Sequence, residues 1–449
     1  MNGSSVKKQK NARMCAFDIL YKTENDKAFS NIALKEGLRG SGLAEADRRL
    51  VTTIVYGCVK YRRYLDYIIS RYSSVRLKKL SLNVLLILRM GIYQIMKLDR
   101  VPDSAAVDES VKLAAKKAYR SKAFVNAVLR AVASGKDTLV LPKDKKERLC
   151  VEYSYPDELA EMWIDEFGYG FAEELMAAGN ESPSVTVRVN RLKTDSFALT
   201  ETLTAENVKS QRTDAENMLT VGGSDIGALK SYRSGLFTPQ GMGSYFACMA
   251  LGPKSGDTVI DLCAAPGGKS THIAELMKNE GKIYSFDVHE HKIELIKNNA
   301  KRLGIDIIEA HTADSSVYMK EFDSAADAVL ADVPCSGLGI IRKKPDIKWG
   351  FDINLQKQLS QLQYEILLAG ARYVKHGGTL VYSTCTVSHT ENIDVVKRFL
   401  ERNGEFCMCP FDEILPEKYK KDGAKSGYVQ FYPNVDGIDG FFICKMKRK

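Results

Sequence analysis

The period of the hydrophobic pattern changes twice along the chain. Between residues 11 and 134 apolar positions recur three and four apart, the spacing of helices that bury one face. Residues 12–20 open the set, and 47–72, 80–96, 104–117 and 122–132 repeat it, with Pro102, Asp103 and Ser104 supplying a break and a cap. Residues 135–146 are polar and broken by proline, so they read as a linker. A helical stretch follows over about 156–178, and then 184–190 (SVTVRVN) alternates as a strand. With 194–203, 210–221 and 226–237 it forms a small α+β unit that carries no chemistry of its own.

From about residue 239 the pattern becomes buried strands that each end in a polar turn. The β-branched run 258–262 is followed by Ala264, Ala265, Pro266, Gly267 and Gly268, which must turn, and by a helix from Ser270. Strand, glycine turn and helix open a doubly wound α/β domain, where a nucleotide-like ligand lies against the turn. Pro266 fixes φ, while Gly267 and Gly268 let the backbone approach a ligand. The dinucleotide pattern is absent, because Ala264, Ala265 and Pro266 stand where its early glycines belong. Asp287 ends the next strand-like run, 283–286, at the distance expected of a ribose-binding carboxylate. A ribose without a pyrophosphate points to an adenosine ligand such as S-adenosylmethionine. A purely structural glycine turn explains the glycines but not Asp287.

Two further strands, 327–332 and 378–384, flank a helix over about 355–374. They deliver Cys335 and Cys385 toward one sheet edge. A single cysteine there is usually a small buried hydrophobe. Two at matching strand ends favour chemistry, with Asp332 close by. Carbon 5 of cytosine is too weak a nucleophile to take a methyl group directly, but a thiolate added to carbon 6 makes it an enamine that can. A carboxylate at the ring edge would stabilise that intermediate, and a base must then remove the carbon-5 proton. Spacing alone leaves open which thiol attacks.

Composition narrows the class. With 449 residues the chain should hold two or three domains. No apolar run approaches the roughly 18 to 20 residues of a membrane span, and residues 1–10 lack an apolar leader core, so a cytoplasmic, non-membrane protein is expected. The ten cysteines are scattered without a repeated C-x-x-C, so reduced thiols and no metal are expected. Charge is divided unevenly: residues 1–140 hold 27 Lys/Arg against 12 Asp/Glu, while the remainder holds 38 against 44. The basic first third would attract a polyanion, although a solvated helical surface accounts for the charge equally well.

The motifs resemble known families. Residues 101–111 (VPDSAAVDESV) with 124–130 (FVNAVLR) are similar to the NusB fold of RNA-binding antitermination factors. That resemblance covers about the first 135 residues and implies RNA contacts from Lys7, Lys8, Lys10, Arg13, Arg48, Arg49, Arg62 and Arg63. Residues 261–269 (DLCAAPGGK), 332–339 (DVPCSGLG) and 382–386 (YSTCT) resemble the motifs of RNA 5-methylcytosine methyltransferases. With the NusB-like front end and 439–442 (DGFF), nearly the whole chain is similar to the RsmB (Sun/Fmu) ribosomal RNA cytosine methyltransferase family.

The resemblance implies an all-α NusB-like bundle over 1–138, a linker and small α+β substrate-positioning subdomain over 139–238, and a Rossmann-like methyltransferase domain over 239–449. It implies S-adenosylmethionine as donor, lined by Cys263, Ala264, Ala265, Pro266, Gly267, Gly268 and Lys269, with Asp287 on the ribose and Asp314 on the adenine side. Asp332 borders donor and base, Cys385 is the nucleophile, and Cys335 assists release. The expected partner is small-subunit (16S) ribosomal RNA, handled by a monomer. Transfer RNA as substrate, or a non-catalytic RNA-binding protein, are the competing readings. Gly241 after Gln240, Asn434 after Pro433 and Thr386 after Cys385 depart from the family's pattern on the substrate side. The basic run 342–349 (RKKPDIKW), next to the Cys335 turn, is expected to contact RNA backbone.

Overall fold

Helices account for most of the chain up to residue 180, as their spacing predicts. The computed structural model describes residues 11–222 and 225–449, so Lys7, Lys8 and Lys10 lie outside the described residues. Helices α1 (Ala12–Asn25), α2 (Ser30–Leu38), α3 (Glu45–Lys60), α4 (Arg62–Tyr72), α5 (Leu82–Lys97), α6 (Asp103–Lys117) and α7 (Lys122–Gly135) share one apolar core. The expected run over 47–72 is two helices, because Tyr61 (φ −101°, ψ 20°) leaves helical geometry between α3 and α4. Arg89 of α5 is buried and satisfied: its fork donates to both oxygens of Asp66 at 2.7 Å, with Glu24 at 3.0 Å.

Helices α8 (Lys145–Glu152), α9 (Asp157–Phe167) and α10 (Tyr169–Ala178) belong to the same compact unit, which runs to Asn180 and takes in Lys344–Gly350. Residues 139–180, grouped with the α+β subdomain in the sequence, therefore pack with the helices. The reason lies in hydrogen bonds that periodicity does not reveal. Arg63 donates to the Tyr155 carbonyl at 3.0 Å and to Asp157 at 2.8 Å, and the Ser154 hydroxyl accepts from the Arg63 N–H at 3.0 Å.

The second unit holds the remaining residues. Strands β1 (Val185–Val189), β2 (Ser210–Arg212), β3 (Met218–Val221) and β4 (Phe237–Pro239) form an antiparallel sheet in the order β2-β3-β1-β4, covered by α11 (Ser196–Ala205) and α12 (Lys230–Arg233). After α13 (Met242–Leu251) come β5 (Thr258–Asp261), α14 (Gly268–Leu276), β6 (Lys282–Asp287), α15 (Glu290–Leu303), β7 (Ile308–Thr312), β8 (Ala326–Asp332), α16 (Ile353–Tyr373) and β9 (Val374–Thr384). The chain ends through α17 (Ile393–Arg402), β10 (Phe406–Met408), β11 (Tyr428–Phe431) and β12 (Phe441–Arg448). The large sheet runs β10-β12-β9-β8-β5-β6-β7, with β11 on β12; β5 to β9 are parallel and β12 is antiparallel to β9. Near-continuous apolar runs in β5 and β8 follow from burial on both faces.

The two sheets of this unit are joined through a buried charge pair. Arg188 of β1 is 1% exposed and grips Glu275 of α14 in a two-pronged contact at 2.8 and 2.9 Å. It also donates to the Gly268 carbonyl at 3.0 Å, tying β1 to the glycine turn. The α+β subdomain is thus tied to α14 and to the glycine turn.

Candidate active site

The crevice opens where the strand order reverses. β5 lies between β6 and β8, so the chain leaves it toward β6 and β7 and returns on the other side. Ligands of such sheets sit outside the carboxyl ends of the strands at that switch. A cavity of about 410 Å³ is lined there by residues from every one of these strand ends, including Cys263, Ala265, Asp287, Asp314, Asp332, Cys335 and Cys385. One cavity thus joins the expected donor residues to both thiols.

On the donor side, Gly267 caps α14 at φ 97°, in the left-handed region, and a Cβ there would stand 3.1 Å from the Ile296 Cα. Ala264, Pro266, Gly267, Gly268 and Lys269 shape the turn, while Cys263 and Ala265 supply the cavity wall. The Ser270 hydroxyl donates at 2.6 Å to fully buried Asp261, whose carboxyl burial raises to about 6. Asp287 accepts from the His289 N–H at 3.0 Å and has Lys292 at 3.7 Å. Leu262, Val288, Leu362 and Ile366 add apolar walls. The Cys263 thiol is pushed well up, first by burial and then by Asp261, Asp332, Asp287 and Asp314, so the carboxylates make this end electronegative. A carboxylate at the end of β6, apolar walls for a flat ring and a negative field for a sulfonium fit S-adenosylmethionine.

On the other side, β8 and β9 pair in register, Asp332 opposite Ser383. Asp332 accepts from Lys269 Nζ at 2.5 Å and from Ser383 Oγ at 2.7 Å. Burial pulls the Lys269 ammonium downward, but the neighbouring negative groups, Asp332 foremost, outweigh it and hold the ammonium above its ordinary value. Three residues beyond Asp332, Cys335 Sγ stands 3.3 Å from Cys385 Sγ. The hydrogen bond to Cys385, and then burial, push the Cys335 thiol well above its ordinary value. The two turns are crossed by the Gly339 N–H, which donates to the Cys385 carbonyl at 3.0 Å, and a Cβ on Gly339 would collide with the Gly440 carbonyl. That crossing explains the second glycine of the 332–339 motif.

Comparison with known proteins settles the family. Residues 248–447 match the family model described as 16S rRNA methyltransferase RsmB/F, residues 10–134 match the NusB family, and residues 155–221 match the ferredoxin-like domain of RsmF/B-like methyltransferases. A probable ribosomal RNA small subunit methyltransferase B of Bacillus subtilis is 38% identical, over 98% of this chain and all of that protein. Its namesake in Synechocystis is 34% identical over 97% of this chain and 99% of the other. The chain belongs to the RsmB/F family of RNA methyltransferases. The crystal structure of PH0851 is similar throughout, at a TM-score of 0.82 and 28% identity over 98% of each chain. The domain order of the RsmB/F family is therefore present here: a NusB domain, a ferredoxin-like domain and a methyltransferase domain with the fold of S-adenosylmethionine-dependent enzymes.

The basic residues singled out in the sequence are engaged within the protein to different degrees. In the run 342–349, Arg342 and Lys343 both donate to Asp439, at 2.8 and 2.5 Å. Lys348 is fully buried and donates to the Lys60 carbonyl at 2.8 Å and to Asn180 at 3.2 Å. Trp349 donates its indole N–H to the Val59 carbonyl at 2.7 Å. Each of these side chains is thus engaged within its own unit, and Lys344 is the exposed cation of the run. Among the proposed phosphate ligands, Arg13 donates to Gln94, Arg48 to the Leu38 carbonyl and Arg63 to Asp157, while Arg49 pairs with Glu45 and Arg62 lies 3.6 Å from Glu24. Charge counting could not separate cations committed to the fold from those offered to a partner.

Proposed function

We propose that the chain methylates carbon 5 of a cytosine in small-subunit ribosomal RNA through a covalent thiol adduct. The observation that carries this reading is the pair of thiols in contact, sharing one cavity with Asp332 and with the donor-side carboxylates. Bound S-adenosylmethionine supplies an electrophilic methyl group on a positively charged sulfur. Asp287 holds the ribose hydroxyls, and Asp314 borders the adenine. Cys385 adds as thiolate to carbon 6, and the electron pair moves to carbon 5, which takes the methyl as the carbon–sulfur bond of the sulfonium breaks. Asp332, oriented by Lys269 and Ser383, receives the hydrogen bonds of the protonated ring edge. A base then removes the carbon-5 proton and the carbon 6–sulfur bond breaks, returning its electron pair to the Cys385 sulfur, and Cys335 assists this release as hydrogen-bond donor to the departing thiolate at 3.3 Å.

The names of the relatives in Bacillus subtilis and Synechocystis support the small ribosomal subunit as the source of the RNA, and the NusB domain supports RNA contact by the helical unit. Bisulfite sequencing of ribosomal RNA from cells with and without the gene tests the reading. One cytosine of the small-subunit RNA should lose its protection when the gene is deleted. Loss of protection in transfer RNA, with ribosomal RNA unchanged, would redirect the substrate.

A further inference from the structure

Glu391 is fully buried, and among the described residues no cation pairs with its carboxylate. Four neutral donors hold it: the Ser336 N–H at 2.8 Å, the Ser336 hydroxyl, Gln356 Nε2 at 3.2 Å and Gln363 Nε2 at 3.0 Å. Gln363 also donates to the Pro334 carbonyl at 2.9 Å, so one network fixes both flanks of Cys335. The next residue does the same for the other thiol. Thr384 Oγ1 donates to Asn392 Oδ1 at 2.5 Å, and Asn392 Nδ2 donates to the Thr386 carbonyl at 3.2 Å and to Gln430 at 2.6 Å. Two adjacent residues each grip the flanks of one cysteine.

Packing alone does not explain a carboxylate at position 391. A buried charge without a counter-ion is unfavourable unless hydrogen bonds satisfy it, and here donors converge on both carboxylate oxygens, a demand that a neutral amide of the same shape meets on one side only. Its charge does have a neighbour to act on. A second negative charge on the Cys335 turn is disfavoured beside it, and the Cys335 thiol is held up partly by Glu391. The other titratable groups around the pair are Cys385 and Tyr382 from β9 and its end, Asp332 at the end of β8, and Lys269 of α14, which Asp332 neutralises.

We propose that Glu391 and Asn392 are positioning residues that hold the two thiols in contact, and that the charge of Glu391 divides their labour, keeping Cys335 a neutral proton carrier and leaving Cys385 as the thiolate. The division of labour rests on the covalent reading above, but its test does not need RNA or donor. The full chain is alkylated with iodoacetamide across a pH series, and each cysteine is followed by mass spectrometry. In the wild type Cys385 reacts at lower pH than Cys335; the reverse order overturns the proposal, and this measurement needs no variant to fold.

Glu391→Gln should raise the Cys335 alkylation rate at neutral pH a few-fold while changing Cys385 far less. Ser336→Ala, which removes the hydroxyl but keeps the charge, should leave the order intact. An unchanged Cys335 rate in folded Glu391→Gln overturns the charge role. For the clamp, diamide should couple Cys335 to Cys385 rapidly in the wild type and several-fold more slowly in Asn392→Ala, and equal rates overturn it. If the thiol order holds while bisulfite mapping finds no methylcytosine, the reading of the reaction falls and the clamp stands.

Discussion

The donor face and the thiol face of the cavity are built in opposite ways. The donor face is local: Cys263 and Ala265 sit in the turn after β5, Asp287 ends β6 and Asp314 follows β7, each close to the strand that positions it. The thiol face converges from five separated stretches, namely the 334–339 turn, the 384–386 turn, Gln356 and Gln363 of α16, the pair Glu391 and Asn392, and Gln430 of β11. A local face that grips a ligand at several points loses affinity by degrees when one contact goes. A convergent face that must bring one sulfur to one carbon fails outright.

The largest expected effect tests that contrast at the thiols. Cys385→Ala should lower methylation by at least about 10⁴-fold and leave no RNA adduct, since no thiolate remains to add to carbon 6. Cys335→Ala should still add and still transfer methyl, then stall as a protein–RNA adduct that survives denaturing electrophoresis. An adduct accumulating in Cys385→Ala instead would exchange the two roles.

Next come the supports behind the donor turn. Arg188→Met leaves Glu275 buried without its partner, and removing one member of such a pair destabilises by about 3–5 kcal/mol. A wild-type denaturation midpoint in this variant would show that the α+β subdomain is not needed to brace α14. Asp261 gives a pH-dependent counterpart. Burial raises its folded value to about 6, above the unfolded value, so the folded state holds this proton more tightly. Its contribution to stability therefore falls as pH rises through the window from about 4 to 6, by up to roughly 3 kcal/mol. Denaturant titrations of the wild type and Asp261→Asn over that window should diverge with this sign, and parallel curves would contradict it.

The same contrast governs what could be read in advance. Asp287 and the glycine turn were legible because strand, turn and helix follow one another in sequence, and the period of the pattern marks each. Cys335 and Cys385 were legible as a pair, because parallel neighbours deliver their ends to one edge. Glu391, Gln363 and Asn392 were not: a glutamine on a helix or a glutamate in a short turn has no signature until the fold brings it to a cysteine. The run 342–349 could not be sorted for the related reason that a lysine looks solvated in any sequence, whereas Lys348 is buried against the Lys60 carbonyl and the Asn180 side chain. The segment after the NusB match, which ends at 134, packs with the helices up to Asn180, because Arg63 and Ser154 join segments that hydrophobic spacing separates.

On the donor face, Asp287→Ala should weaken S-adenosylmethionine binding by roughly 10- to 150-fold, the loss of charge-assisted hydrogen bonds of about 1.5 to 3 kcal/mol. Calorimetry finding unchanged affinity would move the ribose elsewhere in the cavity. Methyl transfer at saturating donor should recover most of its rate, which a variant of the thiol face would not do.

The smallest effect separates two lysines of one short run. Lys344 is exposed, so Lys344→Ala should weaken RNA binding only two- to threefold and reduce the salt dependence by about one released counterion. Lys348 donates to the Lys60 carbonyl and to Asn180, and burial pulls its ammonium well below its ordinary value. Lys348→Met, which fills the same space without a charge, should leave the salt slope unchanged. Any effect of that variant should appear in thermal stability instead. Filter binding at several salt concentrations distinguishes the two variants. A lower slope in Lys348→Met with an unchanged one in Lys344→Ala would return the buried lysine to the RNA and make this part of the run a binding element.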